Sequence, residues 1–193
     1  TGTEALAKAA QAVRETDGLV VTYDGALIDA TFFSCAAGST ESALAVWGSD
    51  VPYLQAVESP EHEERYEESV TVLASEFAAI LRERYPEIML DGTPETWFGA
   101  QTRTAGGGLD TVEIGGISLR GTELRTLFSL RSTVMTLTPE PDGVKIATSG
   151  YGHRVGMSQY GANAIARLGF DYQTILRYYY RGAKIETQKG SLV

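Results

Sequence analysis

Residues 149–169 read SGYGHRVGMSQYGANAIARLG, and the change of character inside this stretch decides how the rest of the chain is arranged. Gly150, Gly152 and Gly156 surround His153, after which Ser158 opens a helix-forming run, QYGANAIARLG. Glycines reach backbone conformations closed to other residues and leave their amides bare. His153, Ser158, Gln159 and Tyr160 beside them carry donors and acceptors suited to sugar hydroxyls and N-acetyl groups. The same residues read equally as a tight turn, with Ser158 capping the helix and His153 satisfying backbone carbonyls.

Downstream, YQTILRYYY forms a second helix, with Gly169 and Gly182 at helix-ending positions. Upstream, STVMTLTPEPDGVKIATS reads as strand, Pro-Asp-Gly turn and strand, GTELRTLFS as a short helix, and TRTAGGGLDTVEI through GISLR as another hairpin. VTVL reads as a strand, and Ser75 is the expected cap of SEFAAILRERY. The acidic run SPEHEERYEES reads as solvated surface, and residues 60–100 as a lobe or insertion within one domain spanning 1–193. Residues 34–56 form an ordered loop or short helix, preceded by strands at 19–23 and 26–33 about the turn Asp24-Gly25. Thr3 is the expected cap of an opening helix, EALAKAAQAV, that breaks at Asp17-Gly18. Helices and strands in irregular order predict an α+β fold, antiparallel hairpins with several short helices around a substrate groove between the 34–41 and 150–156 loops.

Composition narrows the function. With 193 residues, 43% of them hydrophobic, the chain can bury a substantial core. A formal charge of -9 opposes binding to nucleic acid. One cysteine, Cys35, excludes an internal disulfide, and His62 and His153 lie too far apart in the chain to suggest a zinc site, so no metal or cofactor is expected. Cys35, with no base beside it, reads as a packed small side chain. No apolar run is long enough to cross a membrane. The opening residues read as the middle of a helix without an initiating Met, so a longer parent protein is expected, with any export signal or anchor upstream.

The segment GYGHRVGMSQYGANAIARLGFDYQTILRYYYRGAKI resembles the C-terminal signature of the stage II sporulation protein D family. Earlier segments resemble the family in the same order: AVRETDGLVVTYDGALIDATFFS, SCAAGSTES, VWGSDVPYLQAVESP, RTAGGGLDTVEIGG and ELRTLFSLRSTVMTL. The resemblance implies an extracytoplasmic domain, membrane-anchored in its full length, that acts on peptidoglycan glycan strands in sporulation and engulfment. The implied activity is a lytic transglycosylase-like cleavage of strands stripped of stem peptides. A carboxylic acid protonates the glycosidic oxygen and the sugar's own 6-hydroxyl closes a 1,6-anhydro ring. The alternative is a non-catalytic module that binds glycan or activates an amidase partner.

By the same resemblance, the family's catalytic Glu belongs to a segment preceding residue 1, and Glu41 is the local carboxylate candidate. Glu41 reads also as a helix-opening charge. Ser34 and Thr40 in the small-residue loop, Tyr53, Arg131, His153, Ser158, Gln159 and Tyr160 are the expected substrate contacts, and Arg125 matches a further family arginine. Gln55 stands where relatives often carry a basic residue. Arg154 replaces a frequent glycine, so either the loop accepts a side chain there or its path differs.

Overall fold

The computed structural model describes residues 2–61 and 64–188; His62 lies outside them. Helix α1 (Gly2–Glu15) is Ala-rich, in keeping with its high helix propensity, and buries none of its residues. It begins ahead of Thr3, which sits in the first turn rather than at the cap. Asp24 and Gly25, at φ 49° and 80°, turn β1 (Leu19–Tyr23) into β2 (Ala26–Leu27).

The second strand of this hairpin was expected to run to residue 33, but it ends at Leu27. A turn closed by Thr31 N–H to Asp29 C=O redirects the chain, and β3 (Phe32–Phe33) then pairs in parallel with β10 (Met157–Ser158). Helix α2 (Ala43–Trp47) follows, capped by Ser42. Strand β4 (Glu67–Leu73) starts inside the acidic run and leads into α3 (Ala74–Arg84). Ser75 therefore falls within the first turn of α3, and Leu73 takes the cap position without a side-chain bond.

Strands β5 (Phe98–Arg103), β6 (Leu109–Ile114) and β7 (Ile117–Arg120) form an antiparallel sheet, followed by α4 (Gly121–Leu127). The hairpin of β8 (Val134–Glu140) and β9 (Gly143–Ser149) adds to β4 in the order β4-β9-β8. Helices α5 (Gln159–Arg167) and α6 (Tyr172–Tyr179) precede β11 (Lys184–Thr187), which closes on β1. The architecture is α+β, with mostly antiparallel strands.

The buried apolar residues separate into two cores. Residues of β4 through β9 bury Phe77, Leu81, Trp97, Ile114, Leu124 and Ile146 together. The flanking segments bury Leu54, Val57, Val155, Ile175, Tyr179 and Tyr180. The chain leaves for the first core and returns from it side by side, because Glu67 pairs with Ser149.

What joins the two cores is polar. Arg154 is 0% exposed, and its guanidinium donates to Ala36 C=O (2.9 Å), Ser39 C=O (2.6 Å), Gly106 C=O (2.6 Å) and Glu41 Oε1 (3.0 Å). Glu41, 1% exposed, also accepts from Thr104 Oγ1 (2.5 Å) and Gly108 N–H (3.2 Å), both from the β5–β6 loop of the other lobe. Gly106 fits only because it has no side chain, since a Cβ there would lie 2.2 Å from Thr40 C=O. Arg154 holds φ 66°, a left-handed conformation costing about 1–2 kcal/mol for a non-glycine residue, which its hydrogen bonds offset. The loop thus accepts the side chain by turning it inward.

Removing one member of a buried pair strands the other charge, at a cost of about 3–5 kcal/mol. Arg154→Met is therefore expected to lose about that much in equilibrium denaturation, and Glu41→Gln on top of it to recover part of the loss. A loss under about 1 kcal/mol, the scale of a surface pair, would show that the junction is held by something else.

Candidate functional site

The loop 150–156 lies directly on the 31–41 segment. Cys35 and Tyr151 exchange both backbone hydrogen bonds (3.1 and 2.9 Å), and Glu41 N–H donates to Arg154 C=O at 2.6 Å. The expected groove between these loops is therefore not there: backbone pairing has closed the space a sugar would have needed. The glycines serve that pairing, since a Cβ on Gly152 would lie 2.7 Å from Phe33 Cβ and one on Gly156 2.1 Å from Thr31 C=O.

The loop turns Arg154 and Val155 inward and leaves Tyr151 exposed and His153 half-buried, and each of these two joins other rings in an aromatic row. Tyr66 stacks on Tyr151 at a centroid distance of 5.6 Å and meets Tyr160 edge-on at 5.5 Å. At the other end His153 lies 5.3 Å from the Trp47 ring. Phe32 (57% exposed), Trp47 (46%) and Tyr151 (47%) present large apolar surface to solvent. Polar groups fringe the row. Ser34 Oγ donates to Tyr66 Oη, Arg65 bonds Tyr160 Oη, and the Arg131 guanidinium stands 5.8 Å from the Tyr151 ring centre while pairing with Glu68 at 2.9 Å. The Ser34 hydroxyl, together with Tyr160, holds the Tyr66 phenol below its ordinary pKa.

The expected site residues divide by accessibility. Ser34, Arg131, His153 and Tyr160 belong to the aromatic row or its fringe, and Gln159 is exposed beside Tyr160. Ser158 is 0% exposed: its Oγ caps α5 by accepting from Gly161 N–H, and it bonds Glu61 at 2.5 Å. Thr40 is equally buried, bonded to Val57. Tyr53 is half-buried against Tyr23, and its hydroxyl accepts from Asp29 N–H. Glu41 lies ahead of the Ser42 cap, so it does not open a helix; its carboxylate is committed to Arg154. Cys35 is buried, and Arg125 donates to Arg131 C=O. Of the three consecutive tyrosines, Tyr179 and Tyr180 are buried and Tyr178 is 40% exposed.

Tyr66, Tyr151, Trp47 and Phe32 were not singled out from sequence. The one local signal is the place of Tyr151 in the same glycine-rich loop as His153. Tyr66 sits at the end of the acidic run and joins the row only through the β4–β9 pairing. A cavity of about 470 Å³ lies elsewhere, lined by Pro60, Ile165, Leu168, Phe170 and Tyr178 with Glu58 and Ser59, and contains none of the expected contacts. Among the described residues no group of three His, Cys, Asp or Glu side chains could hold a metal ion, and no helix is long and apolar enough to cross a membrane.

Both nitrogens of His153 are engaged with backbone: Nδ1 accepts from Val155 N–H and Nε2 donates to Phe32 C=O, each at 3.1 Å. This is a neutral ring, and burial lowers its pKa. A histidine depressed in the fold binds fewer protons than in the unfolded chain, so its contribution is intact above about pH 6.5 and lost as pH falls below it. His153→Gln is expected to flatten the fall in stability between pH 7 and pH 5, followed by denaturation at each pH. A steeper fall in the variant would contradict the neutral assignment.

No protein-family profile matches this chain. Individual relatives do. Stage II sporulation protein D of Bacillus subtilis (strain 168) is 38% identical over 183 residues, covering 93% of this chain and 51% of the relative. The protein of the same name from Bacillus amyloliquefaciens is 37% identical over 182 residues, with the same coverage. An amidase enhancer of Bacillus subtilis (strain 168) is 28% identical over 234 residues, covering 91% of this chain and 32% of that protein. The chain spans about half the length of the sporulation proteins it matches. Over the residues it spans, it belongs to the stage II sporulation protein D family.

Proposed function

We propose that this chain provides the glycan-holding face of an extracytoplasmic peptidoglycan lytic transglycosylase that acts on stem-peptide-free strands during sporulation and engulfment. The observation that carries the reading is the aromatic face of Tyr160, Tyr66, Tyr151, His153 and Trp47, with Tyr151 and Trp47 exposed and the others half-buried, and its polar fringe. Sugar rings present apolar C–H faces edged with hydroxyls, which suits aromatic rings edged with donors and acceptors. The names of the sporulation relatives supply the sporulation setting.

Cleavage by this route needs a carboxylic acid kept protonated at the glycosidic oxygen. Glu41 and Glu61 are buried and engaged, and Glu68 pairs with Arg131 at 2.9 Å. In this reading the acid comes, as the family resemblance implies, from a segment preceding residue 1. The second reading, a module that binds glycan and activates an amidase, is favoured by the likeness to an amidase enhancer.

Incubation with amidase-treated peptidoglycan distinguishes these. The expected outcome is that the 193-residue chain co-sediments with glycan without generating 1,6-anhydro ends detectable by mass spectrometry, and that Tyr151→Ala weakens retention about tenfold, the equivalent of 1.4 kcal/mol. Anhydro product from this chain alone would overturn the assignment of the acid, and undiminished retention by the variant would overturn the assignment of the face. Faster turnover by an added amidase, with no anhydro product even from a longer chain, would select the second reading.

A further inference from the structure

Glu61 is 7% exposed, in a chain where buried carboxylates are few. Its Oε1 accepts from Ala36 N–H at 2.7 Å and from Ser158 Oγ at 2.5 Å, while its Oε2, also buried, has no hydrogen-bond partner among the described residues. Burying a carboxylate is expensive, and packing alone gives no reason to retain one here. Its neighbours suggest what it does. Ser158 is the cap of α5, and the next two residues, Gln159 and Tyr160, stand on the outer face beside Tyr66. One turn into the helix, a Cβ on Gly161 would lie 2.1 Å from Tyr179 Oη, 2.2 Å from Ser59 Oγ and 2.7 Å from Glu61 Oε2. Ser59 and Tyr179 are themselves bonded at 2.6 Å. The amino end of α5 is thus clamped between Glu61 on its cap and the Ser59–Tyr179 pair on its first turn.

We propose that Glu61 is a positioning residue for glycan binding: its carboxylate fixes the α5 cap against the 34–36 segment and so sets where Gln159 and Tyr160 meet the substrate. This rests on the glycan-holding reading of that face. Glu61 touches no sugar in this role. It acts through Ser158, and the close fit at Gly161 converts a shift of the cap into a shift of the two side chains that follow it.

The test compares Glu61→Ala, Glu61→Gln and Leu81→Ala for retention on amidase-treated glycan strands, well below each variant's melting temperature. Leu81 is fully buried in the core remote from the site and serves as a control for destabilisation. Glu61→Ala is expected to bind about tenfold more weakly, equivalent to losing about 1.4 kcal/mol. Glu61→Gln keeps the oxygen that accepts from Ala36 and Ser158, and is expected to restore binding to within about twofold, a difference of under 0.5 kcal/mol. Leu81→Ala is expected to lose stability while retaining affinity. If Glu61→Ala binds as the wild type does, or if Leu81→Ala weakens binding as much, the positioning role is wrong. If the wild-type chain does not bind glycan at all, the underlying reading fails instead. Should Glu61→Ala not fold, Gly161→Ala provides the same comparison, with equal weakening expected and unchanged binding contrary.

Discussion

The buried ion pair of Arg154 and Glu41 is the constraint on which the rest of this structure depends. Each lobe has an apolar core of its own, and neither core reaches across to the other as a continuous cluster. The pair and its hydrogen bonds to Ala36, Ser39, Thr104, Gly106 and Gly108 bring the loops of both lobes to one point. Hydrophobic burial supplies most of the folding free energy, but it is non-directional. A guanidinium with fixed donor geometry specifies orientation as well as contact.

That orientation builds the candidate site. Arg154 is drawn inward, and from the same loop His153 and Tyr151 meet rings arriving from other parts of the fold. Trp47 comes from α2, Tyr66 from the segment entering β4, and Tyr160 from α5. The buried polar residues behind them, Ser158, Thr40 and Glu61, are bonded to backbone or to one another. The candidate site is an outer face carried by an inner polar layer, and several residues that look like ligand contacts in a motif lie behind it.

Much of the fold was legible because its signals are local. Asp24-Gly25, the Gly106–Gly108 loop and Pro141-Asp142 each mark a hairpin that formed, and Ser158 begins the first of the two late helices as its cap. The signals that misled were also local. Residues 26–33 have the composition of one strand, yet β3 leaves its hairpin to pair in parallel with β10, a contact between residues far apart in the chain. The motif at 149–169 contributes Tyr151, His153 and Tyr160 to the aromatic face, but its glycines were open to two explanations. Only the positions of Phe33, Cys35 and Thr31 show that the loop's close approach is to its own chain. Tyr66 carried no recognisable signal, since an aromatic at the end of a charged run acquires its neighbours through a sheet register set elsewhere.

Native-state hydrogen exchange at the junction tests this most directly. If the ion pair joins the lobes, the amides of Glu41 and Gly108, which donate to Arg154 C=O and Glu41 Oε1, should exchange only by global unfolding. Their opening free energies would then equal that of Ile146 in one core and Val57 in the other. Exchange of Glu41 and Gly108 at markedly lower free energy, with both cores still protected, would contradict it, because the lobes would then part at the junction while each remained folded.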